Sequence, residues 1–555
     1  MLKIDGVASV IMPRRAEALA EKFPGRVGWI DWHYMEINLP DRMSPAVAAL
    51  FGAPNLGLTV LRRMQARGVR DLGYYCHVRQ RFVLRSIRAA MASRVANALA
   101  ARALDLPPFR RLAGAMLGKR LRLAGLTNYR DEPFWSALFQ YVQAECERRP
   151  PDRIVFDPGH VMLVTGSLGA GGSERQVAYT SVGLAGSVPK LSLAVQSTAA
   201  GGDFFLDRVE QAGVRVLEAP EREVLFLPSA WAPMLIELGR VLGHDNLLFT
   251  DVCRYLGLFA DERPGLVHAW LDWSNIAAGV AAVIAGVPRI VLSGRSLAPT
   301  RFAFHQPFMR PGYRFLLESP GVTMLNNSRA GAADYAEWLG IAVDRITVIR
   351  NAIEDGEHRT PTPDEIVAYR ARLGIPDGAR VVGSVFRISE EKRPDLWIRI
   401  AAAVAAARPD VYFLLVGDGP DREATRAAGL AAGLGDRLVM PGRSAEPALP
   451  MALMECLLLT SRVEGLPNVL IEAQLGGVPV VTSAVGGAPE ALVSAELSGF
   501  AIEGDDPQDY ARAILRLIDD DGTLRARRRA ELPILTRHAF DRERMLSETR
   551  AVYGR

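Results

Sequence analysis

Two carboxylates, Glu464 and Glu472, bracket a Gly-Leu-Pro-Asn turn in the stretch EGLPNVLIE, directly after the apolar run CLLLT. That run reads as a buried strand, and NVLIEAQ followed by two glycines reads as a short helix that glycine ends. Pro467 suits the first turn of such a helix, where its missing N–H costs nothing. Glu464 then lies in the loop at the strand's carboxyl end, and Glu472 on the first turns of the helix behind it. Between them the helix start offers free backbone N–H groups and a positive dipole end, which suit a phosphate. A carboxylate on either side accepts hydrogen bonds from sugar hydroxyls. A sugar joined to a nucleotide by diphosphate meets both requirements.

Other residues with chemical potential lie upstream. Arg387 and Lys392 stand five apart in VVGSVFRISEEKRPDLWI, and Gly171 and Gly172 close the glycine-rich stretch GSLGAGGSERQV. Taken singly, each has a plainer explanation. Two glutamates at this spacing occur by chance in many helices. An arginine and a lysine in a loop are more often solvated charges. GSLGAGG departs from the G-x-G-x-x-G spacing and is as readily a tight turn as a phosphate cradle. His268, in GLVHAW, is more often a strand-end histidine with its hydrogen bonds satisfied than a base. Trp270 and Trp273 can stack on a sugar or pack at a domain edge. What favours the functional reading is that these residues occur together and in order.

The elements that must hold them are legible as alternation. From His160 onward short apolar runs (HVMLVTGSL, KLSLAVQS, VRVLEAP, GLVHAWL, RIVLSG, VTMLNNS) are separated by amphipathic segments. A second series follows with the same grammar: DRITVIRN, RVVGSVFR, VYFLLVGDG, DRLVMPGR, CLLLTS, PVVTSAVGG. Runs of this kind indicate parallel sheets covered on both faces. The fold class is therefore α/β, two doubly wound domains in tandem joined near Asp344 to Pro363. Ligands belong at the carboxyl ends of the strands, in the crevice between the domains.

Length and composition limit the alternatives. The chain has 555 residues, 49% of them hydrophobic and 23% charged, which describes a multidomain globular protein rather than a disordered one. The four cysteines are scattered without a CxxC pair, so neither a disulfide framework nor a zinc site is expected. The N-terminal stretch lacks the apolar run of a secretory signal, and a cytoplasmic location is the expectation. The apolar tract NIAAGVAAVIAGVPRIVL contains a proline and reads as a buried helix followed by a buried strand, not a membrane span. Net charge is +4, yet residues 61–130 carry sixteen Lys and Arg against two acids; that +14 leaves −10 elsewhere. Around RQRFVLRSIRAAMASRV a helix would place Arg81, Arg85 and Arg88 on one face and Leu84, Ile87, Met91 and Val95 on an adjoining one. An anionic membrane surface is one partner such a segment admits, giving a peripheral position on the inner face of the membrane; pairing with the acidic remainder of the chain is another. Aromatics do not interleave with the charges, and no nucleic acid is expected.

The stretch EGLPNVLIEAQLGGVPVVTSAVGGAPE resembles the Glu, seven residues, Glu motif of the retaining glycosyltransferases of family 4, which have the GT-B fold of two facing Rossmann-like domains. VVGSVFRISEEKRPDLWI, FLLVGDGPDR, VIRNAIED and GSLGAGGSERQV resemble further segments of that family, and RHAFDRERMLSETRAVYGR resembles its closing helix. The resemblance covers roughly 160–555. It implies that Glu472 binds the nucleotide ribose and Glu464 the donor sugar, that backbone amides of Gly465, Leu466, Pro467 and Asn468 hold sugar or phosphate, and that Gly171 and Gly172 approach the diphosphate. Arg387 and Lys392 would neutralise the departing diphosphate, so no metal and no cofactor is expected beyond the nucleotide-sugar substrate. Where many relatives carry a histidine after the GVP strand, this chain has Gly294, Arg295 and Ser296; Arg295 and His268 are the acceptor-side candidates. The expected organisation is a mainly helical, basic extension over 1–157, an acceptor-side domain over 158–345, a nucleotide-sugar-binding domain over 346–532 and a returning C-terminal helix over 533–555. The expected activity is retaining, metal-independent transfer of a sugar from a nucleotide-diphosphate donor to a hydroxyl of a glycan or lipid-linked acceptor, in polysaccharide or lipid-linked glycan synthesis. The rival is an inactive GT-B scaffold that recruits partners or membrane through its basic N-terminal region.

Overall fold

A computed structural model describes residues 131–148, 154–199, 201–218, 231–242, 246–354, 359–444, 446–520 and 522–554, together with five short strands before residue 131. The chain divides into two compact units, residues 1–154 with 224–260, and residues 155–223 with 261–555.

In the first unit the described strands are β1 (Trp29–Asp31), β2 (Glu36–Asn38), β3 (Ala48–Ala49), β4 (Asp71–Cys76) and β5 (Arg81–Ser86). β4 and β5 pair antiparallel, and β3 lies parallel to β4. The helix expected through Arg81, Arg85 and Arg88 is therefore corrected over its first turn: Arg81–Ser86 is a strand. Its Phe-Val-Leu centre and the paired Tyr-Tyr of β4 carry the aromatic and β-branched side chains that a pleated surface favours. Arg88, like the rest of 87–130, lies outside the described residues. The helix Glu132–Arg148 buries Phe134, Trp135, Leu138, Phe139 and Val142, which recur at helical spacing.

The second unit holds both large sheets. The first is seven-stranded in the order β12-β11-β10-β9-β6-β7-β8 and parallel throughout. Its strands are β6 (Asp157–Thr165), β7 (Lys190–Val195), β8 (Arg215–Glu218), β9 (Pro264–Trp270), β10 (Arg289–Gly294), β11 (Val322–Asn326) and β12 (Ile346–Val348). β9 is buried along its whole length, as a central strand covered on both faces must be. The tract read as helix then strand does run as helix Asp272–Ala285, ended by Gly286 in the left-handed conformation, and then β10.

The second sheet is six-stranded and parallel, in the order β15-β14-β13-β16-β17-β18: β13 (Arg380–Val385), β14 (Val411–Val416), β15 (Leu438–Gly442), β16 (Cys456–Leu459), β17 (Val480–Ser483) and β18 (Gly499–Ile502). The two Rossmann-like sheets are those expected, with one reassignment. Ile346–Val348, read as opening the second series, pairs with β11 and closes the edge of the first sheet. The helix Arg542–Val552 returns to the first domain, where Leu546 packs against Gly183 so closely that a β-carbon there would overlap it. Among the described residues no helix is long and apolar enough to cross a membrane.

Candidate active site

β13 and β16 are neighbours in the second sheet, so the loops after their carboxyl ends lie side by side. From the first loop Lys392 Nζ donates to Glu464 Oε1 at 2.6 Å, and Ser461 Oγ donates to the same oxygen at 2.6 Å. Thr460 Oγ1 ties the loops further by donating to the Lys392 carbonyl at 2.8 Å. Glu464 is 8% exposed, and its backbone carbonyl meets Gly486, whose φ of +51° and missing β-carbon permit the approach. Arg387 stands in the same loop as Lys392, is exposed, and has no ion-pair partner among the described residues.

The turn after Glu464 enters the helix Asn468–Leu475, with Pro467 at its N-cap. Glu472 is 6% exposed and accepts a hydrogen bond from Arg175 Nη1. Arg175 comes from the helix Gly172–Leu184 of the first domain, and Glu472 raises its pKa. The two helix starts meet: Asn468 Nδ2 donates to the Gly172 carbonyl at 3.2 Å, and a β-carbon on Gly172 would sit 3.1 Å from that nitrogen. The carboxylate of Glu174 folds over Gly171, and burial raises its pKa. Of the two glycines assigned to a diphosphate, then, Gly172 faces the second domain and Gly171 is covered by an acid.

Gly465 packs against the first domain. A β-carbon there would lie 2.8 Å from Ser296 Cα and 2.9 Å from Asn327 Oδ1. Asn351, in the segment joining the domains, donates through Nδ2 to the Leu466 carbonyl at 2.9 Å and to Asn468 Oδ1 at 2.6 Å. Its own Oδ1 accepts from Arg295 Nη2 at 2.5 Å, and the Arg295 guanidinium lies 4.5 Å from the centre of the Trp270 ring. Burial lowers the Arg295 pKa to about 9. From the second domain, Glu490 accepts the backbone N–H groups of Arg329 and Ala330 at 2.9 and 2.8 Å, satisfying the start of the helix Arg329–Leu339.

The structure thus brings Lys392, Glu464 and the Gly465–Asn468 turn together with Glu472, and sets Arg295 against the same turn. It does not bring His268 there as a free group. His268 lies within β9, is 1% exposed, and shares hydrogen bonds through Nδ1 with the Tyr553 hydroxyl at 2.7 Å and through Nε2 with Ser293 Oγ at 2.8 Å. Burial lowers its pKa to about 3. Trp270 is buried, and Trp273 packs edge-on to Phe308 with ring centres 5.5 Å apart. Sequence reasoning passed over Arg175 and Asn351. Both fall within segments it singled out, GSERQV and VIRNAIED, but their partners are distant in the chain. Among the described residues no cluster of three or more His, Cys, Asp or Glu is placed to hold a metal.

The family model for glycosyl transferases group 1 matches residues 366–531. Vi polysaccharide biosynthesis protein VipC/TviE of Salmonella typhi is 32% identical over 356 residues, 60% of this chain and 61% of that protein. This chain therefore spans less than two thirds of that relative. The 2-deoxystreptamine glucosyltransferase of Streptomyces kanamyceticus is 32% identical over 282 residues, 48% of this chain and 71% of that enzyme. The crystal structure of Anabaena Alr3699/HepE in complex with UDP-glucose superposes with a TM-score of 0.58 at 21% identity, covering 71% of this chain and 99% of that one, and so shares the two-domain GT-B fold. By these matches the chain belongs to the glycosyl transferases group 1.

Proposed function

We propose that this chain transfers a sugar, with retention at its anomeric carbon, from a nucleotide-diphosphate-sugar to a hydroxyl of a glycan or lipid-linked acceptor in polysaccharide synthesis. The observation that carries the reading is the Lys392–Glu464 contact beside the Asn468–Leu475 helix start, with Glu472 on the same helix. Glu472 would hold the ribose diol, and Glu464 the donor sugar. Arg387 and Lys392 would receive the charge that develops on the departing diphosphate, a role fixed cations fill without a metal ion.

In this reaction the bond from the anomeric carbon to the diphosphate oxygen breaks, and the acceptor oxygen bonds to the same face of the sugar. The acceptor proton passes to the departing phosphate oxygen. That route needs no enzymic base, which agrees with the enclosure of His268. Polysaccharide synthesis draws support from the Salmonella relative, and a uridine donor from the UDP-glucose complex of the Anabaena protein. A hydrolysis screen across UDP-, GDP- and ADP-sugars tests the reading: one donor class should be consumed, and consumption of none would reject it.

A further inference from the structure

Arg295 carries a charge that no acidic side chain among the described residues balances. Its guanidinium is stacked on Trp270, donates once to the neutral amide of Asn351, and leaves Nε buried with no hydrogen-bond partner. No carboxylate among the described residues pairs with it, whereas Lys392 is matched with Glu464 and Arg175 with Glu472. The indole Nε1 of Trp270, the ring that this guanidinium covers, is also buried without a partner. Stacking occupies the faces of the guanidinium and the indole and leaves their N–H edges for a ligand. A buried cation is costly unless an anion meets it, and buried donors are rarely left unpaired. The orphaned pair therefore marks a place for an acceptor-rich, negatively charged group.

The location limits which group that is. Gly465, at the turn assigned to the donor sugar, packs on the backbone of Arg295 and Ser296. Asn351 links the Arg295 guanidinium to Leu466 and Asn468 of that turn. The diphosphate is already assigned to Arg387 and Lys392, of which Lys392 pairs with Glu464. We infer that Arg295 is a specificity-determining residue whose ligand is a carboxylate on the donor sugar, so that the donor is a nucleotide-activated acidic sugar of the uronate type. This rests on the proposed sugar transfer and names its substrate class.

The test is calorimetric titration of the full chain with UDP, with UDP-glucose and UDP-galactose, and with UDP-glucuronate and UDP-galacturonate. Each uronate differs from its neutral partner only in a carboxylate for a hydroxymethyl group. At least one uronate should bind about tenfold or more tighter than its neutral partner, the scale of one charge-assisted bidentate contact. Arg295→Ala should erase that preference and change UDP affinity less than about twofold. UDP binding without a uronate preference in the unmodified chain overturns the inference and leaves the transferase reading standing. Loss of UDP and uronate affinity in equal measure in Arg295→Ala also overturns it, since the anion would then be the diphosphate. No binding of any of the five ligands overturns the inference for a uridine-linked uronate and leaves the transferase reading to the screen of GDP- and ADP-sugars. The comparison of ligands on the unmodified chain needs no variant to fold.

Discussion

Arg175 of the first domain donates to the carboxylate of Glu472, 297 positions later in the second. The pair spans the interdomain cleft and occupies the side chain assigned to the nucleotide ribose. A ribose diol arriving at Glu472 must share that carboxylate or displace the arginine. The pair is a tie between the domains and, on the proposed function, a competitor of the donor.

Removing the arginine separates these roles. Arg175→Ala leaves Glu472 buried without its charged partner, so the unliganded protein should lose about 1–3 kcal/mol of stability. Nucleotide diphosphate should restore most of the lost melting temperature, because its ribose supplies the missing hydrogen bonds. Thermal scans with and without nucleotide measure both. An unchanged melting temperature in the unliganded variant would contradict the tie.

Arg387 and Lys392 should respond differently to substitution. Arg387 is exposed and unpaired among the described residues, so Arg387→Ala should leave stability within about 0.5 kcal/mol of the original. Its turnover should fall by roughly 10²–10³, the range seen when a group that stabilises transition-state charge is lost. Lys392→Ala should lower turnover and stability together, since Glu464 loses its ionic partner. Equal turnover in Arg387→Ala and the original enzyme would remove Arg387 from the site.

On the proposed mechanism turnover should survive chelation, because Arg387 and Lys392 would carry the role a metal otherwise fills. The measurement is donor consumption before and after treatment with excess EDTA, followed by exhaustive dialysis. Complete loss, restored by a divalent cation, would show that the cations do not suffice.

His268 makes a pH prediction. Burial lowers its folded-state pKa to about 3, below the ordinary histidine value of 6.5. Between those values the unfolded chain binds a proton that the folded one refuses, so stability is full above pH 6.5 and falls as the pH drops toward 3. The contribution is up to about 1.4 kcal/mol per pH unit in that window. Chemical denaturation from pH 7 to pH 4 should show a shallower decline in His268→Gln than in the original chain. Parallel curves would mean that the folded imidazole takes up its proton at the same pH as the unfolded one, contrary to the effect of its burial.

The elements that position the site were legible because their signals are local. The CLLLT strand, the proline at the following turn and the glycines after NVLIEAQ are contiguous, and the strand-turn-helix they specify is the one found around Glu464 and Glu472. Partners distant in sequence were not legible. Nothing in the stretch around Arg175 points to Glu472, and nothing around Asn351 points to Arg295 or Leu466, because those contacts exist only once both sheets have formed. β12 has a strand's composition, but composition does not say which sheet a strand joins. β18 begins with a glycine at φ +110° against the Val480 carbonyl and is half-buried throughout, so its apolar signal is weak. In β5 Arg81 and Arg85 stand four apart around Phe-Val-Leu, a spacing that puts them on one face of a strand as well as of a helix, and pairing with β4 decides between them.

The central claim is that Glu472 anchors a nucleotide diphosphate in the cleft between the two sheets. The most direct measurement is thermal protection by UDP of the original chain and of Glu472→Ala. The account predicts a concentration-dependent rise in melting temperature for the original chain and none for the variant. A variant protected as strongly as the original chain would place the nucleotide elsewhere and contradict the account.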